Sequence, residues 1–300
     1  MKSKLNLILS FGTLICLLLT LCACTEEREA HSEAPSFTLS SESEAVSIPE
    51  PAVQVWLPVK DKQQFPFELI ETYTYDEHNR PSRIFAVYGD GREETTAFTY
   101  DEQGNLLAKV TCDKNGTEIA YVKQTYKDGK LQSKTELENG SSHEKNTTYT
   151  YDGEGRLQKA ETVTGITVTE AYNYTEDGYT VTTYRDNKAF SVAEYDRDGN
   201  LYTITDGDGD LQEQNTYDGE GRLEKTLQYV AGESYYEYRY HYDEEGRLLR
   251  RDQYSYGELE YSLAYEYDQH GNQIRTLRIQ GENKLTLKET EYALFGDPSK

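Results

Sequence analysis

The feature that most constrains this chain is a short motif, Tyr-x-Tyr-Asp-x-x-Gly-(Arg/Asn)-Leu, which returns at nearly constant spacing. It stands in full at 149–157 and 240–248, with further copies at 98–106, 215–223 and 265–273 and a shorter form at 194–201. Weaker copies begin at Tyr73, Thr125 and Tyr172, and Glu291-Tyr292 closes the series. Aligned on the second aromatic, the ten copies fall at 75, 100, 126, 151, 174, 195, 217, 242, 267 and 292. A fixed period of this length marks a tandem array of one supersecondary unit.

Each unit has a mechanical reading. Side chains alternate along a strand, so Tyr-x-Tyr puts both rings on one face. Asp at the first turn position and Gly at the fourth suit a type I turn, where Asp accepts backbone N–H bonds and Gly takes positive φ. The candidate turn residues are Tyr100, Asp101 and Gly104; Tyr151, Asp152, Gly155 and Arg156; Tyr217, Asp218, Gly221 and Arg222; Tyr242, Asp243, Gly246 and Arg247; and Tyr267, Asp268 and Gly271. Leu then opens a return strand. A second turn, such as Gly89-Asp90-Gly91 or Ala231-Gly232-Glu233, completes a β-hairpin. Ten hairpins imply about twenty strands, a ribbon approaching ~100 Å if flat, and open sheets seldom exceed about ten strands without curling. The expectation is an all-β chain of tandem hairpins in a curved or spiral antiparallel meander, a partly open shell or a barrel-like form. Stability should then add up repeat by repeat, with the end units fraying first.

The pattern resembles the YD repeat, also called the RHS repeat, of bacterial Rhs and wall-associated proteins and animal teneurins. Three units carry the complete Tyr-Asp-x-x-Gly-Arg-Leu core, from Tyr151, Tyr217 and Tyr242. The resemblance implies hairpins wound into a continuous sheet, in some members a shell around a toxin, with carbohydrate binding ascribed to others. This chain has far fewer repeats than the large Rhs toxins, and it ends eight residues after Tyr292.

The N-terminus carries an address. Lys2 and Lys4 precede an apolar run from Leu5 to Leu21, with no acid before Glu26. That run is short for a membrane span and has the order of an export signal. Leu21-Cys22-Ala23-Cys24 resembles the bacterial lipobox, which implies a signal peptide over 1–23 and an acylated Cys24. Residues 24–52, rich in Glu and Ser with Pro35, Pro49 and Pro51, read as a disordered acidic tether. Residues 53–70, with Trp56, Phe65 and Phe67, read as a cap over the first edge strand, and 71–300 as the repeat domain.

Charge and chemistry narrow the functions. The formal charge of −23 becomes −25 once Lys2 and Lys4 leave with the signal. Nucleic acid and anionic membrane surfaces would be repelled, so membrane attachment falls to the lipid, and stable anchoring takes more than one acyl chain. Cys112 is then the one thiol left beside Cys24, read as a small buried residue of a strand. The five histidines are scattered, and no nucleophile or metalloprotease motif is present. The expectation is a non-enzyme without a cofactor. Asp206, Asp208 and Asp210 alternate like half of a calcium loop, but Leu211 and Tyr217 stand where that loop needs Gly and Glu, so an acidic turn is the plainer reading. Two roles remain: an extracytoplasmic, lipid-anchored binding or scaffold module for a glycan or envelope protein, or a shell- or immunity-like partner that sequesters a secreted toxin or polypeptide.

Overall fold

The computed structural model describes residues 55–64 and 66–295. The segments 1–23 and 24–52, with Cys24, lie outside the described residues.

Among the described residues, twenty strands follow one another. The first ten are β1 (Val55–Gln63), β2 (Leu69–Tyr75), β3 (Pro81–Tyr88), β4 (Glu93–Tyr100), β5 (Leu106–Asp113), β6 (Glu118–Lys127), β7 (Lys130–Leu137), β8 (Lys145–Tyr151), β9 (Leu157–Thr164) and β10 (Ile166–Tyr174). The rest are β11 (Gly178–Arg185), β12 (Lys188–Asp196), β13 (Leu201–Asp206), β14 (Leu211–Tyr217), β15 (Leu223–Val230), β16 (Glu233–Tyr242), β17 (Leu248–Ser255), β18 (Glu258–Tyr267), β19 (Gln273–Gln280) and β20 (Asn283–Phe295). Each pairs antiparallel with the next, and β1 also pairs with β20, so the meander closes into a barrel.

Closure selects the barrel-like form among the expected ones. The sheet is neither a spiral nor partly open, and it has no free end unit to fray, because its ends are joined. The segment read as an edge cap supplies the closing strand itself: β1 meets β2 over 60–63 and β20 along almost its whole length. A closed sheet leaves no unpaired edge.

The aligned tyrosines mark the same place in every repeat. Tyr75, Tyr100, Tyr151, Tyr174, Tyr217, Tyr242 and Tyr267 end even-numbered strands, so the turns that follow the aligned tyrosines gather on one rim. The second set of turns forms the opposite rim. In eight of the repeats the pairing register slips just before the aligned tyrosine, as between Thr99 and Tyr100 or His241 and Tyr242. Such a slip is a β-bulge, which increases local twist and helps a sheet curl.

Directly paired residues share a face, and the registers carry one face round the whole ring. It bears the Tyr-x-Tyr rings together with Asp61, Ala86, Thr147, Ala160, Asn215 and Thr226. These six are buried, while Thr72, Thr74, Thr148 and Thr150 on the other face of the same strands are exposed. Side chains converge on the concave side of a ring and splay on the convex side, so the tyrosine face is the inner wall.

The interior is not a packed core. Ala86 and Ala160 are the buried apolar side chains among the described residues, and no large side chain is fully buried. Backbone contacts run only between strands adjacent round the ring. Twenty strands at about 4.8 Å make a circle roughly 30 Å across between backbones, and barrels of this strand number leave an aqueous lumen. The sheet is held by its ladders and by cross-strand pairs: Tyr179 stacks on Tyr195 at 4.6 Å, and Thr147 and Thr162 share a hydrogen bond of 2.8 Å. Cys112, expected to be buried, is half-buried and free.

Candidate functional site

The repeat turn is a clasp. In the turn at Asp101, the Gly104 N–H donates to the Asp101 carbonyl, and Gly104 has φ +88°, a left-handed conformation that glycine takes without Cβ strain. Asp101 Oδ1 accepts the N–H groups of Gln103 and Asn105, and Oδ2 accepts the Asn105 amide. Asp152 does the same with Glu154 and Arg156, the Arg156 Nε standing 2.8 Å from Oδ2. This explains the Arg/Asn alternation of the motif, since both offer an N–H at that reach. The Asn105 amide foremost holds the Asp101 carboxyl below its ordinary range, and the Arg156 side chain does so for Asp152.

The arginine clasps also touch the next repeat. The Arg156 guanidinium lies 4.4 Å from the centre of the Tyr174 ring, Arg222 4.9 Å from Tyr242 and Arg247 5.2 Å from Tyr267. The same phenols donate backwards: Tyr174 to the Leu157 carbonyl, Tyr217 to Leu201, Tyr242 to Leu223 and Tyr267 to Leu248, at 2.7 to 2.9 Å. The turn residues singled out from sequence are thus brought together along one rim, where they splice repeat to repeat. Their side chains are committed to structure.

Asp206, Asp208 and Asp210 lie on the opposite rim, between β13 and β14. Asp206 Oδ1 accepts the N–H groups of Asp208 and Asp210, and Oδ2 faces the Gln212 amide at 3.3 Å. Its carboxylate is occupied as in the repeat turns, and among the described residues no group of three or more His, Cys, Asp or Glu is placed to hold a metal.

Sequence reasoning missed two polar centres. On the outer face, Asp252 is 3% exposed and accepts the Ser262 hydroxyl at 2.6 Å, with His241 Nε2 at 2.9 Å and Arg250 Nε at 3.0 Å. The carboxylate stands between hydroxyl and imidazole, so the serine faces no base and this is not a nucleophilic triad. At the closing seam, Asp61 accepts from Tyr73 at 2.9 Å and Thr290 at 2.6 Å and pairs with Lys288 at 2.6 Å. Burial, and then the Glu71 charge, push the Tyr73 phenol up, so it stays protonated as a donor.

The inner wall is chemically uneven. Glu71, Glu94, Glu170 and Glu213 line it through β2, β4, β10 and β14. Over β16–β18 the inner positions are dominated by tyrosine: Tyr236, Tyr238, Tyr240, Tyr242, Tyr261, Tyr265 and Tyr267. Burial raises the Tyr238 phenol to about 12 against the nearby Arg251 charge.

No family model matches the chain, and no curated protein matches it. Among solved structures it is similar to the crystal structure of TcdB2-TccC3-TEV, at 12% identity and a TM-score of 0.38, over 75% of this chain and 15% of that one. It is also similar to a porin-like protein from Bacteroides uniformis, at 12% identity and a TM-score of 0.35, over 81% of this chain and 98% of that one. The chain therefore spans a small part of the toxin-complex chain's length. The fold is an all-β, closed antiparallel barrel of tandem hairpins.

Proposed function

We propose that this protein is a non-enzymatic, lipid-anchored binding scaffold of the YD/RHS kind, exported from the cytoplasm and held by Cys24, whose barrel binds saccharide on its inner wall. The observation that carries the reading is an unfilled ring lined with phenol rings whose hydroxyls do not all serve the fold. Tyr149, Tyr238, Tyr240 and Tyr265 face inward and make no hydrogen bond through their phenols, unlike the rim tyrosines. Such rings offer flat apolar faces with a polar tip, a surface suited to sugars. Attachment through a lipid also fits the outer face. A membrane-spanning barrel needs an apolar outward band, whereas the outward positions here include Lys123, Lys159, Glu161, Arg239, Glu266 and Arg275.

The test is a glycan array probed with the full chain. Retention of a defined set of glycans, lost on replacing Tyr240 and Tyr265 with alanine while the melting transition persists, supports the reading. Binding to no glycan, together with co-purification of a secreted polypeptide, overturns it in favour of sequestration of a polypeptide in the ring.

A further inference from the structure

The inner wall over β16–β19 has donors without acceptors. Arg251 pairs with Tyr240 on one side and Leu263 on the other, and Leu263 pairs in turn with Arg278. The two arginines therefore stand on either side of one leucine, on the same face and at the same level of the barrel. Of the thirteen described arginines, nine form ion pairs. Arg251 and Arg278 form none, although the chain holds 54 acids against 31 basic residues. Each lies on a ring instead, Arg251 5.2 Å from Tyr238 and Arg278 4.2 Å from Tyr261. Their Nε atoms are buried without any hydrogen-bond partner.

Beside them, the phenols of Tyr238, Tyr240 and Tyr265 also lack partners. Gln253, which stands between Tyr238 and Tyr261 on this face, is already engaged: its amide donates to Glu260 at 2.8 Å, and Tyr261 donates to it at 2.5 Å. Buried donors left unmade are costly, so the two Nε groups call for an explanation, and an acceptor entering from the lumen supplies one.

We propose that this wall is a binding site for an acidic saccharide, a sugar bearing a carboxylate or sulfate. The anionic group would sit between Arg251 and Arg278, and the ring hydroxyls would accept from the phenols of Tyr238, Tyr240 and Tyr265. A guanidinium fork matches paired oxygens of a carboxylate or sulfate, and tyrosine faces favour a sugar ring. A closed sheet offers no free edge, so a peptide could not bind by adding a strand. This site rests on the saccharide-binding reading above and narrows its ligand to the charged class.

The experiment is calorimetric titration of the full chain with oligogalacturonate, with its neutral methyl ester and with poly-glutamate. The acid should bind at least about ten-fold more tightly than the ester, and about 0.5 M NaCl should weaken it, as for an ionic contact. Arg251→Gln and Arg278→Gln should each remove most of that preference, while Arg83→Gln, an outer-face arginine without an ion pair, should leave it intact. Ester binding and the thermal transition report folding of each variant. Arg251→Lys keeps the charge but loses the fork, and should recover only part of the preference.

Equal binding of acid and ester, or glutamine variants that bind like the parent, overturns the charged site while leaving saccharide binding in place. Preference for poly-glutamate overturns the choice of saccharide. Failure to bind any glycan overturns both.

Discussion

The Tyr242 phenol donates to the Leu223 carbonyl at 2.9 Å, and the Arg222 guanidinium stands 4.9 Å from the centre of the same ring. One side chain therefore fixes the spacing between two repeats by its tip and by its face. Tyr242→Phe removes only the tip contact and should cost about 0.5–1.5 kcal/mol in denaturant unfolding, the net worth of such a bond. Tyr238→Phe, whose hydroxyl has no partner in the protein, should be neutral by the same measurement.

The closing seam depends on a single carboxylate. Asp61 is 6% exposed and collects Tyr73 from β2 with Thr290 and Lys288 from β20. Asp61→Ala leaves those donors unpaired around a small gap and should cost about 1–3 kcal/mol. Hydrogen exchange should speed up first in β1 and β20, the strands the seam joins, while β5–β15 keep their protection.

Much of this architecture is legible in the residues, and the missing parts have physical causes. Tyr-x-Tyr, Asp and Gly specify hairpin, turn and period through local chemistry, so Tyr151, Asp152 and Gly155 land in the places their residue types require. The inner or outer aspect of the return strands is not legible. The bulge before most of the aligned tyrosines, as at His241/Tyr242, slips the register, and a slip of one residue exchanges the faces. Arg251 and Arg278 therefore could not be placed beside Tyr240 and Tyr265 from spacing alone. Closure through Val55–Gln63 was hidden as well, because that strand lies outside the repeat and carries none of its motif.

Acid should unfold the barrel through its turns. The Asn272 amide foremost lowers the Asp268 carboxyl, and the Arg156 side chain lowers Asp152. A carboxyl depressed in the folded state contributes stability that is full above its unfolded value and is lost as pH falls through the folded one. The melting temperature should therefore be level from neutrality to about pH 5 and fall steeply below about pH 4, where ordinary aspartates begin to protonate. Asp152→Asn combined with Asp268→Asn should lower the plateau and flatten that fall. An unchanged acid limb in the double variant would mean that the clasps are not what acid breaks.

Gly178 should tolerate no side chain. It opens β11 at φ +153°, where a Cβ would stand 2.0 Å from the Tyr195 carbonyl oxygen, a backbone atom that cannot swing aside. Tyr179, the next residue, stacks on Tyr195 and lies 5.5 Å from Tyr174, so any shift of this turn separates three rings. Gly178→Ala should therefore destabilise the barrel more than Gly219→Ala, a turn position where the added methyl meets nothing within 4 Å. Comparison of the two denaturant midpoints is the check. A smaller loss at Gly178 would show that the β10–β11 turn can relax without disturbing the ring stack.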